Sequence, residues 1–200
     1  DSRDGRPAVA GLPDALVLRR CLQAVRPDRP PLPARLHRQV RSPLRRVGDG
    51  GSYPPVDTAG HPFTLSDWLT APMFSTRWAA LEAGTVIGHI AVGAMDADLA
   101  AELPGMGRAA VAPRGFAAIT RFFVDPGHQG RGAGRELFRA AVDHAWGTGQ
   151  QPVTAVLETS VQARRFCVAQ GMREAGTFRG RHGVVHVFVD EAPPSFLPAW

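Results

Sequence analysis

The sequence predicts an α/β protein, with a mixed central sheet of about six or seven strands and helices on both faces. Two observations carry this. From Arg77 onward, short apolar segments of strand character are interleaved with amphipathic helical segments. Their order, counting the N-terminal third, is strand, helices, three strands, helix, strand, helix, two strands, which mixes hairpins with helical crossovers. It is not the regular alternation of a doubly wound nucleotide fold.

The elements follow in order. Ala15 to Gln23 reads as an opening strand, with a short helix fitting nearly as well. Arg26 to Pro33 carries four prolines and is an extended linker. Ala34 to Val47 is expected as a helix broken at Pro43, and Gly48 to Pro62 as a loop. Phe63 to Leu69 starts a short helix that Thr64 or Ser66 would cap. Arg77 to Glu82 and Thr85 to Met95 form a hairpin around Ala83-Gly84, and Asp96 to Gly115 is a flexible connection. Phe116 to Val124 is an apolar strand stopped by Asp125-Pro126-Gly127. Arg131 to Trp146 is a helix with Leu137, Ala141 and Ala145 in one apolar row, Phe138, Val142 and Trp146 beside it, and Arg139 paired with Asp143 outside. Pro152 to Glu158 is a strand, and Thr159 to Gln162 is a capping box for a helix ending at Gly171. Arg173 to Phe178 and Gly183 to Val189 form a last hairpin, and the tail is a loop. The expected organisation is a Pro/Arg-rich segment at 1–33, one domain at 34–190 and a tail at 191–200.

With 200 residues, 44% hydrophobic and 20% charged, the composition is that of a soluble globular chain of one domain, or a domain and a half. No apolar run approaches the roughly eighteen residues of a membrane span, so no membrane is expected. No charged head with an apolar stretch marks a secretion signal, and two distant cysteines, Cys21 and Cys167, read as free thiols of a cytoplasmic protein. All 23 basic residues are Arg, and Lys and Asn are absent. The absence of Lys excludes Schiff-base chemistry and a Walker loop. The net charge of +5 is N-terminal: residues 1–50 hold eleven Arg against five acids. Arg35 to Arg46 is the densest stretch, but it lacks the aromatic residues on which bases stack, so nucleic acid is not the expected partner.

The chemistry concentrates in VDPGHQGRGAGREL, Val124 to Leu137. A strand ends, a glycine-dense turn follows, and a well-patterned helix begins at once. Glycines let backbone approach a ligand, the first-turn N–H groups point at it, and Arg131 and Arg135 add positive potential. Such a helix start holds a phosphate or pyrophosphate. The G-x-G-x-x-G dinucleotide fingerprint fails because Arg135 stands where its third glycine would be. The pattern that fits is Q-x-x-G-x-G, with Gln129, Gly132 and Gly134.

That pattern, after a strand ending Val-x-Pro, resembles the acyl-CoA loop of the GNAT N-acetyltransferases, and the resemblance covers Arg77 to Val189 well. It implies the GNAT fold, acetyl-CoA or another acyl-CoA as co-substrate, and no metal. Phe122, Phe123 and Val124 would face pantetheine. Gln129, Gly130, Arg131, Gly132, Ala133 and Gly134 would hold pyrophosphate, with Arg135 nearby. SVQARRFCVAQGM, Ser160 to Met172, is similar to the family's next helix. Ala163 and Gly171 match it and Phe166 is an apolar replacement. Ser160 stands for a cofactor-touching Asn, and Cys167 for the Tyr that protonates the leaving thiolate. Cys167 is therefore a candidate acid through a bridging water, or a small core residue.

A base is harder to place. Ala118 stands where many of these enzymes carry a strand Glu, which leaves Glu158, His89, Glu82, Asp57, His61 or a water chain to solvent. His182 and His186 lie four apart but lack a third ligand for zinc. The acceptor is expected to be a small-molecule amine, met by Tyr53 in the 48–62 loop and by Arg179, Arg181 and His182 in the last turn. A non-catalytic acyl-CoA module and an anionic-surface binder using Arg35 to Arg46 are the alternatives. Whether the chain is a monomer or a homodimer is open.

Overall fold

The computed structural model describes residues 73–83, 85–106, 112 and 114–191. The expected opening strand, the helices and loop between 34 and 69, and the tail lie outside the described residues. Six strands form one sheet: β1 (Phe74–Glu82), β2 (Thr85–Gly93), β3 (Phe116–Val124), β4 (Gln151–Leu157), β5 (Arg173–Gly180) and β6 (Gly183–Val189). Their order across the sheet is β1-β2-β3-β4-β6-β5. All neighbours are antiparallel except β3 and β4, so the sheet is mixed, as expected.

Helices cover both faces, and the strand periodicity of two decides which residues go where. On one face, Ile90, Val92, Ala117, Ile119 and Phe188 pack under Leu137, Phe138, Ala141 and Ala145 of α2 (Ala133–Gly147) and Cys167 of α3 (Val161–Ala169). On the other, the neighbouring positions Ala118, Val153, Val187 and Val189 meet Leu99 and Leu103 of α1 (Ala97–Gly105). The apolar row predicted for α2 is its buried face, and Arg139 and Asp143 pair at 3.8 Å on the outside.

Three local expectations are corrected. The stretch after β2 is not simply a connection, because it holds α1. Asp96 caps this helix by accepting from the Leu99 amide at 2.8 Å, and Leu99 and Leu103 bury one turn apart. The Thr159 capping box does not form. The Ser160 amide donates to Leu157 at 2.9 Å and holds a turn after β4, so Ser160 is the N-cap and no side chain caps α3. β1 starts three residues before Arg77, because a bulge between Phe74 and Thr76 interrupts the alternation that marks a strand. At that bulge a Cβ on Gly93 would lie 2.2 Å from the Met73 carbonyl oxygen, so glycine is required there.

The feature that makes a site is the junction of β3 and β4. They pair only at Phe116–Gln151, Ala117–Pro152 and Ala118–Val153, then separate. Beyond that point β3 stays with β2 and β4 with β6. The buried Thr154 hydroxyl donates to the Ile119 carbonyl at 2.9 Å, so a side chain satisfies an acceptor that the ladder has abandoned. Further along, β3 spends three residue steps, Phe123 to Thr120, where β2 spends two, His89 to Ala91. Arg121 in this bulge has φ 53°, and its carbonyl accepts from Nδ1 of fully buried His89 at 3.0 Å. A bulge bends its strand, and this one lies in the part of β3 that has parted from β4.

Candidate active site

β3 runs into a one-turn 3₁₀ helix, Pro126–His128, capped by Asp125 Oδ1 accepting from the Gly127 amide at 3.1 Å. The chain then turns through Gly130 at φ 75° and Gly132 at φ 94° and enters α2. Gly132 is the N-cap and has no side chain to satisfy the first turn. The Glu136 amide bonds back to Gly132, whereas those of Ala133, Gly134 and Arg135 meet no acceptor among the described residues. Arg131 and Arg135 are exposed beside them. Three unused donors, a helix dipole and two guanidinium groups give this turn a positive potential that suits an anion. The strand, the glycine turn and the helix follow one another as the sequence expected.

The loop sits at the mouth of the fork. A Cβ on Gly134 would lie 3.4 Å from Phe122 Cζ and 3.5 Å from Val124 Cγ2, so the first turn of α2 rests on β3. The Asp125 amide donates to Ile87 at 2.7 Å, which points Asp125 and, by alternation, Phe123 toward β2. Val124 and Phe122 therefore present their backbone groups to the gap left by β4. That edge would take an extended chain with amide groups. The Gln129 side chain donates to the Val124 carbonyl at 3.1 Å, so it ties the loop to the strand end rather than reaching out for an anion. Phe123 is on the other face, its ring 5.8 Å from His89 and near parallel to it. The Phe122 ring closes an aromatic triangle with Phe138 and Phe166 at 5.1 to 5.9 Å between centroids.

The acid and base candidates are scattered. Cys167 is buried in the core under α3, and burial pushes its thiol up to about 12. A thiol held that high stays protonated, so in a Cys21→Ser background Cys167 should resist maleimide at pH 8. The thiolate fraction there is about one in ten thousand. Rapid labelling in the folded protein would show that the thiol is accessible. Glu158 lies just past β4 with its side chain 60% exposed, 4.0 Å from Nε2 of His186. His186 in turn holds Glu174 at 2.8 Å. His89 is inside the sheet layer, bound to the bulge. Ser160 is buried at the start of α3, where Ala163 and Phe166 are half-buried. Arg181 and His182 are exposed on the β5–β6 turn, which lies at the end of β4 where the fork opens, whereas Arg179, expected on the turn, is exposed within β5 because the strand runs on to Gly180. Tyr53, Asp57, His61 and the Arg35 to Arg46 stretch lie outside the described residues. Among the described residues no group of His, Cys, Asp and Glu could hold a metal ion, and no helix is long and apolar enough to cross a membrane.

Sequence reasoning missed His128, which stands 3.0 Å from Glu82 Oε2 and 3.7 Å from Asp125 Oδ2. It also missed Thr154 and the Arg121 bulge. His128 was visible as a titratable residue inside the glycine loop. The other two depend on strand pairing, which leaves no local trace.

A sheet forked between two parallel strands, with a glycine turn and a helix start at the mouth, defines the class of α/β protein to which this chain belongs. The comparisons give that class its family. The acetyltransferase (GNAT) family model matches residues 50–172, and the chain belongs to that family, which uses acetyl-CoA. No curated protein matches the sequence. A GNAT-family protein from Desulfovibrio desulfuricans is similar in structure, with a TM-score of 0.59 at 16% identity over 82% of this chain and 96% of that one. The ribosomal-protein-S18-alanine N-acetyltransferase of Escherichia coli scores 0.54 at 13% identity over 82% and 94%. A GNAT acetyltransferase from Staphylococcus aureus scores 0.55 at 12% identity over 80% and 94%. At such identities these likenesses show the fold.

Proposed function

We propose that the protein moves acetyl from acetyl-CoA to the primary amine of a small molecule by direct attack. The observation that carries this reading is the fork with its open β3 edge beside the unused amides of Ala133 to Arg135. Those amides, Arg131 and Arg135 suit the pyrophosphate, and the backbone of Phe122 and Val124 suits the amides of pantetheine. Acetyl-CoA would supply an activated thioester; the chain binds it, aligns it and holds the amine against it. Such positioning accounts for much of an enzyme's rate enhancement. The neutral amine nitrogen would form the C–N bond as the C–S bond breaks; CoA leaves as its thiolate, which solvent can protonate, and the nitrogen's surplus proton passes to solvent. The exposed guanidinium groups of Arg179 and Arg181, beside His182, favour an acceptor carrying a carboxylate or phosphate over a lysine-rich peptide.

No dedicated base is invoked, because Ala118 holds the strand position and Glu158, 60% exposed, has His186 beside it. The expected result is a rate that rises with pH until the acceptor's own amine is deprotonated, so acceptors of different basicity level off at different pH. A plateau at one pH for every acceptor would instead reveal a base in the protein. A non-catalytic coenzyme-binding module is the second reading, favoured by the inert Cys167. Thermal unfolding with acetyl-CoA, CoA, NAD and ATP, followed by thiol release over an amine panel, separates the two. A ligand at about 100 times its Kd adds roughly 2.7 kcal/mol. Stabilisation by the CoA ligands with thiol release supports transfer, and stabilisation without release for any amine supports the module. No stabilisation rejects both.

A further inference from the structure

Glu82 ends β1 at the tip of the β1–β2 hairpin, far in sequence from the glycine loop and in contact with it at two points. Its Oε2 is 3.0 Å from His128 Nε2, and its Oε1 is 3.7 Å from Arg131 Nη1. These residues bracket Gln129-Gly130, the turn that delivers the chain to the helix start. One carboxylate thus spans the outer half of the loop, while Asp125 and Gln129 hold the inner half to β3. Neither partner is deeply buried: the Glu82 and His128 side chains are 30% and 29% exposed, so the contact sits at the rim of the site rather than in the core.

We propose that Glu82 is a positioning residue for coenzyme binding: through His128 it latches the pyrophosphate loop in its binding form, and it releases Arg131 to the ligand's phosphates. The inference rests on the acetyl-CoA reading above. His128 faces Glu82 from β1 and Asp125 from the end of β3, at 3.0 and 3.7 Å, and Arg131 is the other charge on Glu82. The hydrogen-bonding nitrogen is Nε2, on Glu82, whereas Nδ1, 3.7 Å from Asp125, has no hydrogen-bond partner among the described residues, so Glu82 is the contact that fixes the ring.

Charge alone predicts the opposite sign for one variant, which makes the idea testable. Removing a carboxylate beside a phosphate site tightens anion binding if only Coulomb attraction matters. If Glu82 orders the loop, Glu82→Ala weakens it. We expect titration calorimetry with CoA to give a Kd about three to ten times higher for Glu82→Ala than for the wild type at pH 6.5, the size of a half-exposed charged hydrogen bond. Glu82→Gln keeps an acceptor for His128 and should recover part of the loss. Equal or tighter binding by Glu82→Ala, or no recovery by Glu82→Gln, overturns the latch. Absence of CoA binding by the wild type overturns the coenzyme reading itself, and the latch with it.

Discussion

Replacing Gly132 by aspartate should abolish CoA binding, by about 100-fold or more, while costing the fold little. Gly132 sits at φ 94°, where a side chain is strained by about 1–2 kcal/mol. Space is not the obstacle, because a Cβ there would meet nothing within 4 Å. Aspartate is a favoured N-cap, and its carboxylate would accept from the first-turn amides that α2 leaves unused, returning about 1 kcal/mol. Strain and capping nearly offset each other in stability. In binding they act together, since the new carboxylate occupies the donors meant for the pyrophosphate and repels its charge. Gly132→Ala carries the strain without the competitor and should lose much less affinity. Calorimetry with CoA and thermal unfolding on the same preparations check both halves. Normal binding by Gly132→Asp would remove the helix start from the site.

Phe138→Ala should cost about 3–5 kcal/mol, read as a lower denaturant midpoint at unchanged slope. The ring is 3% exposed and joins three elements, touching Phe122 of β3 and Phe166 of α3 from α2. It fills the space beneath the fork, where the sheet offers no continuous ladder to pack against. Truncation leaves a cavity that neither separated strand can close without moving. Phe138→Leu keeps most of the volume and should cost less than about 1.5 kcal/mol. A loss below about 1 kcal/mol for the alanine variant would show that the fork is held by its hydrogen bonds and not by this cluster. Against a usual total of about 5–15 kcal/mol, the expected loss is a large share of the stability.

Much of this was legible in the chain. The apolar stretch FAAITRFFV, the Leu137-Ala141-Ala145 row and the density of glycine after Val124 are local signals, and each became the expected element. The short helix Ala97–Gly105 was legible too, since Asp96 and the Leu99–Leu103 pair mark it, but the surrounding small and polar residues read as a loop. The acid and base candidates were less legible. Cys167 occupies the helix position where its family carries a proton donor, yet the same face of α3 is the core face, and burial decides the chemistry of its thiol. Glu82 read as one carboxylate on a hairpin among several, because nothing near it in sequence hints that His128 and Arg131 arrive beside it.

The sequence by itself determined the described strands and the helices that follow β3 and β4, the mixed sheet with its two covered faces, and the glycine turn that opens α2. All of these follow from residues at most a few positions apart, through periodicity, capping and backbone freedom. The tertiary structure alone decided where β3 and β4 part, which carbonyl Thr154 must satisfy, and which loop cation meets Glu82. Those outcomes depend on pairing register between strands more than thirty residues apart, as in the 35-residue separation of Thr154 and Ile119. Register is set by the sum of many contacts across the sheet, so no short stretch of the chain encodes it.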